Sequence, residues 1–448
     1  MTDETYKHVL ELDAQYVFAP WSAQTGLERP GIAEAHGSTL VDYEGREYLD
    51  FSSQLVFTNA GHQHPRLVAA LKAQADRLCT IAPAVANDVR ARAAERLVEI
   101  AGGHFSRVLF TTGGTEANEN ALRLARNYTG RQKVLAAFRS FHGASAGAIS
   151  ATGEPRRWGS EPAVPGVVHF LGPYLYRSSF FATTPEEECA RALAHLDEVL
   201  SFEGPHTVAA IILETVVGTN GVLVPPDGYL AGVRERCDRH GIVLIADEVM
   251  VGFGRCGEWF AIDHWDVEPD LISFAKGVNS GYVPLGGVLV SAPIAHAFAQ
   301  RPYPGGLTYS GHPLACAVAL ENLTVYEEEG LITRARDLGE SIIRPALEEI
   351  AARHAAVGEV RGLGCFFAIE LVKDKATREM FVPFNPSPPD AAPMRAVIAA
   401  IQAGGVWPFT HFNRIHLAPP LVITEEELRR GLEIIDAALD VADDQLTG

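Results

Sequence analysis

No apolar run in the 448-residue chain approaches the ~18 residues needed to cross a bilayer; the longer ones, such as Val208 to Leu213, are strand-sized. Basic charge is scarce too. Lys and Arg number 37 against 56 Asp and Glu, a net charge of −19, and no Lys/Arg block interrupts that deficit. Such a chain repels phosphate backbones and anionic lipid, so neither nucleic acid nor a membrane is expected as a partner. Only six cysteines occur, at 79, 189, 237, 256, 316 and 365, with no CxxC. Reduced thiols and a cytoplasmic address are expected. The acidic start Met1-Thr2-Asp3-Glu4 does not read as a signal peptide. Glycine (41) and proline (27) stay well below the roughly 25–30% that marks low-complexity chains.

What is present is ordinary globular composition, 47% hydrophobic and 21% charged, long enough for two or three domains. Short apolar runs alternate with amphipathic stretches, which points to α/β architecture. The strand-like runs are Val108–Phe110, Val134–Phe138, Val208–Leu213, Ile242–Ala246, Leu271–Phe274 and Gly287–Val290. Most are apolar throughout, as parallel strands covered on both faces are. Helices are expected over Glu116–Tyr128, Pro185–Ser201 and Gly228–His240. After Gly330 a long helical pattern runs to His354. A strand at Leu363–Val372, a proline-rich loop at Phe381–Pro393, a helix at Met394–Ala403 and a strand at Arg414–Leu417 follow. Thr424 and Glu427 form a capping box ahead of the stripe Leu428, Leu432, Ile435 and Leu439. Residues 331–448 read as a smaller α+β domain.

Ligands of open parallel sheets bind beyond the carboxyl ends of the strands. There the sequence offers Thr111-Thr112-Gly113-Gly114-Thr115-Glu116 opening a helix, then Glu214, Asp247 and Lys276 after three further runs. A Gly-Gly-Thr turn at a helix start presents backbone N–H groups to an anion. Pyridoxal phosphate needs a phosphate cup, a carboxylate for its pyridine nitrogen and a lysine for its carbonyl carbon.

On these residues the sequence resembles the class III aminotransferases, the ω-aminotransferase group of fold-type I pyridoxal-phosphate enzymes. The resemblance runs from about Gly37 to Asp440. It rests on Thr-Gly-Gly-Thr-Glu-Ala-Asn (112–118), Phe-His-Gly (141–143), Ala-Asp-Glu-Val (246–249) with Gly-Phe-Gly-Arg (252–255), Phe-Ala-Lys-Gly (274–277) and Leu-Thr-Tyr-Ser-Gly-His-Pro-Leu-Ala (307–315). It implies a mostly parallel pyridoxal-phosphate-binding sheet flanked by helices, with residues 1–60 joining a small domain at 331–448 and a large domain at 61–330.

The resemblance also implies roles. Lys276 is the Schiff-base lysine and Asp247 the partner of the pyridine nitrogen. Val249 packs under one ring face and Phe141 on the other, with His142 and Glu214 beside the cofactor. Gly114 and Thr115 take the phosphate. Thr308 reaches the phosphate of a neighbouring subunit, which implies a homodimer with shared active sites, possibly a tetramer. Arg414, five residues before Pro419-Pro420, is the mobile arginine that grips the substrate's acid group. Trp21, Phe57, Trp407 and Phe409 are placed around the substrate. Met250 stands where relatives acting on γ-aminobutyrate and ornithine often have Gln, which argues against those donors. The implied activity is transfer of an amino group from an ω-amino acid of β-alanine or taurine type to a 2-oxo acid, pyruvate first and 2-oxoglutarate second. A lyase acting on an amino alcohol phosphate is the alternative on the same scaffold.

Three other motifs fail on context. Gly252-Phe-Gly254-Arg-Cys-Gly257 matches GxGxxG, but five residues separate it from the preceding strand and no helix opens within it. Gly143-Ala-Ser145-Ala-Gly147 matches GxSxG, but no strand enters it directly. His62 and His64 have no third ligand at helical spacing, and no metal is expected.

Overall fold

The structure, a computed structural model, describes residues 3–26 and 30–446. Residues 1, 2, 447 and 448, which the sequence reading placed in the terminal segments, lie outside the described residues. Among the described residues no helix is long and apolar enough to cross a membrane.

After an N-terminal helix (Asp3–Tyr16) come three strands: β1 (Ile32–His36), β2 (Thr39–Asp42) and β3 (Glu47–Asp50). The central sheet follows, built from β4 (Phe105–Thr111), β5 (Lys133–Ala137), β6 (Val167–Phe170), β7 (Val208–Glu214), β8 (Val243–Asp247), β9 (Leu271–Phe274) and β10 (Gly286–Ser291). Its order is β4-β10-β9-β8-β7-β5-β6. The five strands from β9 to β6 run parallel, while β10 is antiparallel to both β9 and β4. The chain ends with β11 (Val357–Leu363), β12 (Phe366–Asp374), β13 (Glu379–Met380), β14 (Val406–Trp407), β15 (Phe409–His411) and β16 (Arg414–Leu417). β11, β12, β16 and β15 form one sheet in that order, with β13 on β12, whereas β14 pairs with β3. Residues 32–50 and 406–407 therefore share a sheet.

The doubly wound, mostly parallel architecture expected from the apolar runs is what forms. β7 is buried along six of its seven residues and β8 throughout, because helices cover both faces. The helices at Gly114–Thr129, Pro185–Glu203 and Tyr229–His240 fall within two residues of their expected bounds. The expected strand over 363–372 forms as β12, starting at Phe366, and pairs in a hairpin with β11 through a turn at Gly364, φ +56°. The sequence reading also passed over β1–β3 and β6, which are short and carry little apolar periodicity.

One side chain binds distant parts of the chain together. Arg255 is fully buried. Its guanidinium donates to the carbonyls of Cys365 (3.1 Å) and Pro419 (2.6 Å), to Ser53 Oγ (3.0 Å) and to Asn59 Oδ1 (2.7 Å). The Gly-Phe-Gly-Arg motif is thus a structural pin rather than a dinucleotide loop. Arg255→Lys keeps the charge but cannot reach four acceptors in a planar fork. It is expected to lower unfolding stability by about 2–3 kcal/mol in denaturant titration. A change within ~0.5 kcal/mol would mean that the pin is dispensable.

Candidate active site

The carboxyl ends of β4, β7, β8 and β9 meet around a cavity of about 330 Å³. Gly114, Thr115, Phe141, His142, Glu214, Asp247, Val249, Lys276 and Phe57, all singled out in the sequence, line it together. An adjoining cavity of about 520 Å³ shares Phe141, Met250 and Lys276 and adds Trp21, Arg156, Phe409 and His411.

The anion cup lies at the start of the helix Gly114–Thr129. Gly113 caps that helix in an extended conformation, and no side chain claims the first-turn N–H groups. The cup tolerates little bulk. A Cβ on Gly114 would stand 2.6 Å from Val249 Cγ1, and one on Gly143 would stand 2.4 Å from Thr115 Oγ1.

Asp247 ends β8 and is buried. Its Oδ2 accepts from Asn118 Nδ2 at 2.7 Å and lies 2.7 Å from His142 Nδ1, while Oδ1 accepts the Val249 N–H at 3.1 Å. A carboxylate only accepts, so His142 carries its proton on Nδ1, leaving Nε2 buried and unpartnered. Asn118 also donates to the His142 carbonyl at 2.7 Å, which fixes both supports of the carboxylate.

Lys276 follows β9 and sits at φ +47°. Its amine makes no ion pair among the described residues. Burial pulls its pKa down to about 8, with Arg156 acting in the same direction and Asp247 and Glu214 opposing. Glu214 accepts from the N–H groups of Phe141 and Gly218, both at 2.8 Å. Burial pushes its carboxyl up to about 7; His142 opposes the shift and Asp247 adds to it.

Three sequence-chosen residues stand elsewhere. Thr308 is exposed in a turn and does not line its own chain's cavity. Trp407 packs edge-on against Tyr48, ring centroids 5.8 Å apart. Arg414, expected as the mobile substrate arginine, is buried, and its three guanidinium nitrogens have no hydrogen-bond partner among the described residues. It lies on β16, between β12 and β15, directly across from Glu370 of β12. Its side chain is 1% exposed, 3.5 Å from Glu370 Oε2, and lines neither cavity.

The cation that does line the substrate side is Arg156. It lies in a short 3-10 helix, Pro155–Ser160, that follows Gly153-Glu154. Its guanidinium lies 3.7 Å over the Phe141 ring, its Nε donates to buried Glu154, and its Nη2 is buried without a partner. Nothing in the sequence marks Arg156, because it ends no strand and belongs to none of the quoted motifs. His411, 3.6 Å from Glu154, was missed because it ends a short strand with little apolar content and belongs to none of the quoted motifs.

These groups fit pyridoxal phosphate: unclaimed N–H groups at a helix start, a braced carboxylate and an unpaired amine share one cavity. The aminotransferase class-III family model matches residues 24–439. An uncharacterised aminotransferase YhxA of Bacillus subtilis (strain 168) is 38% identical, with 93% of each chain covered. A taurine–pyruvate aminotransferase of Bilophila wadsworthia is 31% identical, with 96% of each covered. The solved taurine:2-oxoglutarate aminotransferase of Bifidobacterium kashiwanohense, in complex with pyridoxal phosphate and glutamate, superposes with a TM-score of 0.96 at 42% identity, over 100% of both chains.

An amine whose pKa is drawn down becomes nucleophilic once deprotonated. Covalent capture of pyridoxal phosphate by the apoprotein should therefore accelerate as pH rises through about 8. Absorbance follows the capture, and borohydride reduction with peptide mapping should place the cofactor on Lys276. Recovery on another lysine, or capture retained in Lys276→Ala, would overturn the assignment.

Proposed function

The chain belongs to the class III aminotransferases, enzymes that use pyridoxal phosphate, and within that family we propose that it moves the amino group of a short ω-amino acid of taurine or β-alanine type to a 2-oxo acid. The observation that carries the acidic-substrate reading is Arg156 Nη2, a buried guanidinium nitrogen without a partner in the cavity that contains Lys276. A guanidinium fork matches a carboxylate or sulfonate, and leaving it unpaired is costly. Arg156 thus takes the acid-binding role first given to Arg414. The sequence reading put pyruvate ahead of 2-oxoglutarate. We now favour 2-oxoglutarate, because His411 beside Arg156 offers a second donor for a diacid, and a 42%-identical neighbour carries 2-oxoglutarate in its name.

The chain's own groups divide the work as follows. The first-turn N–H groups of the Gly114 helix and Thr115 would hold the phosphate, and Asp247, braced by Asn118 and His142, would face the pyridine nitrogen. When bound, the cofactor supplies an electrophilic carbonyl carbon and an electron-withdrawing ring that makes the donor's C–H acidic. Lys276 Nζ, with its pKa lowered to about 8, takes that proton in its neutral form and returns it. Val249 and Phe141 wall the cavity, and Trp21 and Phe409 border its substrate side.

A homodimer with shared active sites is part of the same proposal. Thr308 is exposed beside Tyr309, which is 65% exposed, and Val85 and Leu55 also show apolar surface. Such a surface suits an interface across which Thr308 completes the partner's phosphate site.

Single-turnover half-reactions test the donor site. Arg156→Met should slow taurine and 2-oxoglutarate by about ten- to a hundredfold, the loss of one charge-assisted hydrogen bond, and should change a neutral amine far less. Arg414→Met should instead lower thermal stability without separating the donors. Equal losses for taurine and the neutral amine in Arg156→Met would remove Arg156 from substrate binding. In sedimentation at micromolar concentration a dimer is expected; a fully active monomer would sink the shared-site proposal.

A further inference from the structure

Across the Glu154–Pro155 backbone from the catalytic cavity lies another, of about 390 Å³. The two share only Glu154 and Pro155, and Lys276 lines the first alone. The polar wall of this second cavity is Arg139, Arg157 and Arg177, and its apolar wall includes Phe138, Trp158 and Phe384. Its one lining carboxylate, Glu154, is already engaged by Arg156.

The arginines are under-compensated. Arg157 pairs with Glu161, itself half exposed. Arg177 donates to Glu370 at 2.6 Å, and its Nη2 is buried without a partner. Arg139 forms no ion pair among the described residues and rests on the Tyr174 ring, 4.9 Å away. Behind them Glu370 is shared by Arg177, Arg361, Arg414 and the Tyr174 hydroxyl, while Arg361 also holds Glu359. Among the described residues of this cluster, Arg139, Arg177, Arg361 and Arg414 face only Glu359 and Glu370. Burial lowers the pKa of Arg139, and Arg414 and Arg177 lower it further, against Tyr174 and Glu370. Positive charge enclosed without its counter-charge is costly, and an anion brought to Arg139 and Arg177 would relieve it.

We propose that this second cavity binds a small organic acid, a carboxylate or sulfonate of a few carbons, with its acid group on Arg139 and Arg177 and its carbon skeleton against Phe138 and Trp158. The aromatic wall selects for the skeleton, since a bare inorganic ion leaves that surface uncovered. The site lies outside the catalytic cavity and does not depend on which donor or acceptor the enzyme uses.

Glutarate is a suitable probe, because it has neither an amino nor an oxo group and cannot turn over. Titrated into the holoenzyme at fixed ionic strength, it should change tryptophan emission saturably, and the change should vanish in Trp158→Phe. Arg139→Met should weaken the apparent affinity by about tenfold or more. If Arg139→Met proves poorly folded, Arg157→Met removes a second lining cation whose present partner is half exposed. An equal response to sodium chloride, no saturation, or a signal kept in both Arg139→Met and Arg157→Met would each overturn the proposal. The last outcome would show that the catalytic cavity was being read.

Discussion

Lys276 is an amine that the fold buries without an ion pair, and much of the surrounding architecture follows from that. The residue follows a fully buried strand and sits at φ +47°, a conformation that costs a non-glycine residue of order 1–3 kcal/mol. Desolvation further disfavours its charged form and draws its pKa to about 8. Both costs are tolerable only where the rest of the core over-determines the position. β7, β8 and β9 supply that rigidity through unbroken parallel pairing, Glu214 opposite Asp247 and Asp247 opposite Ser273. The register of three strands places a carboxylate beside a carboxylate beside a lysine turn.

Crowding two carboxyl groups creates a second cost, which the structure divides unequally. Asp247 has three hydrogen-bond partners, from Asn118, His142 and the Val249 N–H. Glu214 has only backbone N–H groups, and its pKa rises to about 7. One carboxylate is thus held in place by three donors, while the other can take up or give up a proton near neutrality. That asymmetry suits a site in which the ring partner must stay fixed while charge changes around the substrate.

The sheet and the cofactor side of the site were legible because each rests on a local signal. Apolar runs of strand length reveal buried parallel strands, and the residue after each run stands at the rim where ligands bind. Gly114 is demanded by contact with Val249, and the glycine-rich turn advertises that demand. The substrate side was illegible for the opposite reason. Arg156 reaches the cavity from a short 3-10 turn whose place is set by long-range packing. Gly153, for instance, has room for no Cβ, since one would lie 2.2 Å from the Ala137 carbonyl. Arg414 shows the converse case. An arginine near a strand end and a proline pair looks available, but whether a strand is interior or at an edge is a property of the sheet, and β16 lies between two neighbours.

The charge distribution gives the arginines a shared logic. With a net charge of −19, the exterior does not draw anions inward over distance, and salt screens what field remains within ~8–10 Å. Acidic ligands must therefore be captured by interior cations at short range, and those cations must keep donors free. Pairing an arginine edge-on with a carboxylate consumes its fork; laying it flat on an aromatic ring consumes none of its N–H groups. Arg156 on Phe141 and Arg139 on Tyr174 both use the ring. Glu154 adds one bond at Arg156 Nε, which orients the guanidinium yet leaves Nη2 unpartnered. An aromatic face with at most one carboxylate contact is how a buried guanidinium can be held in place and still be open to an acid.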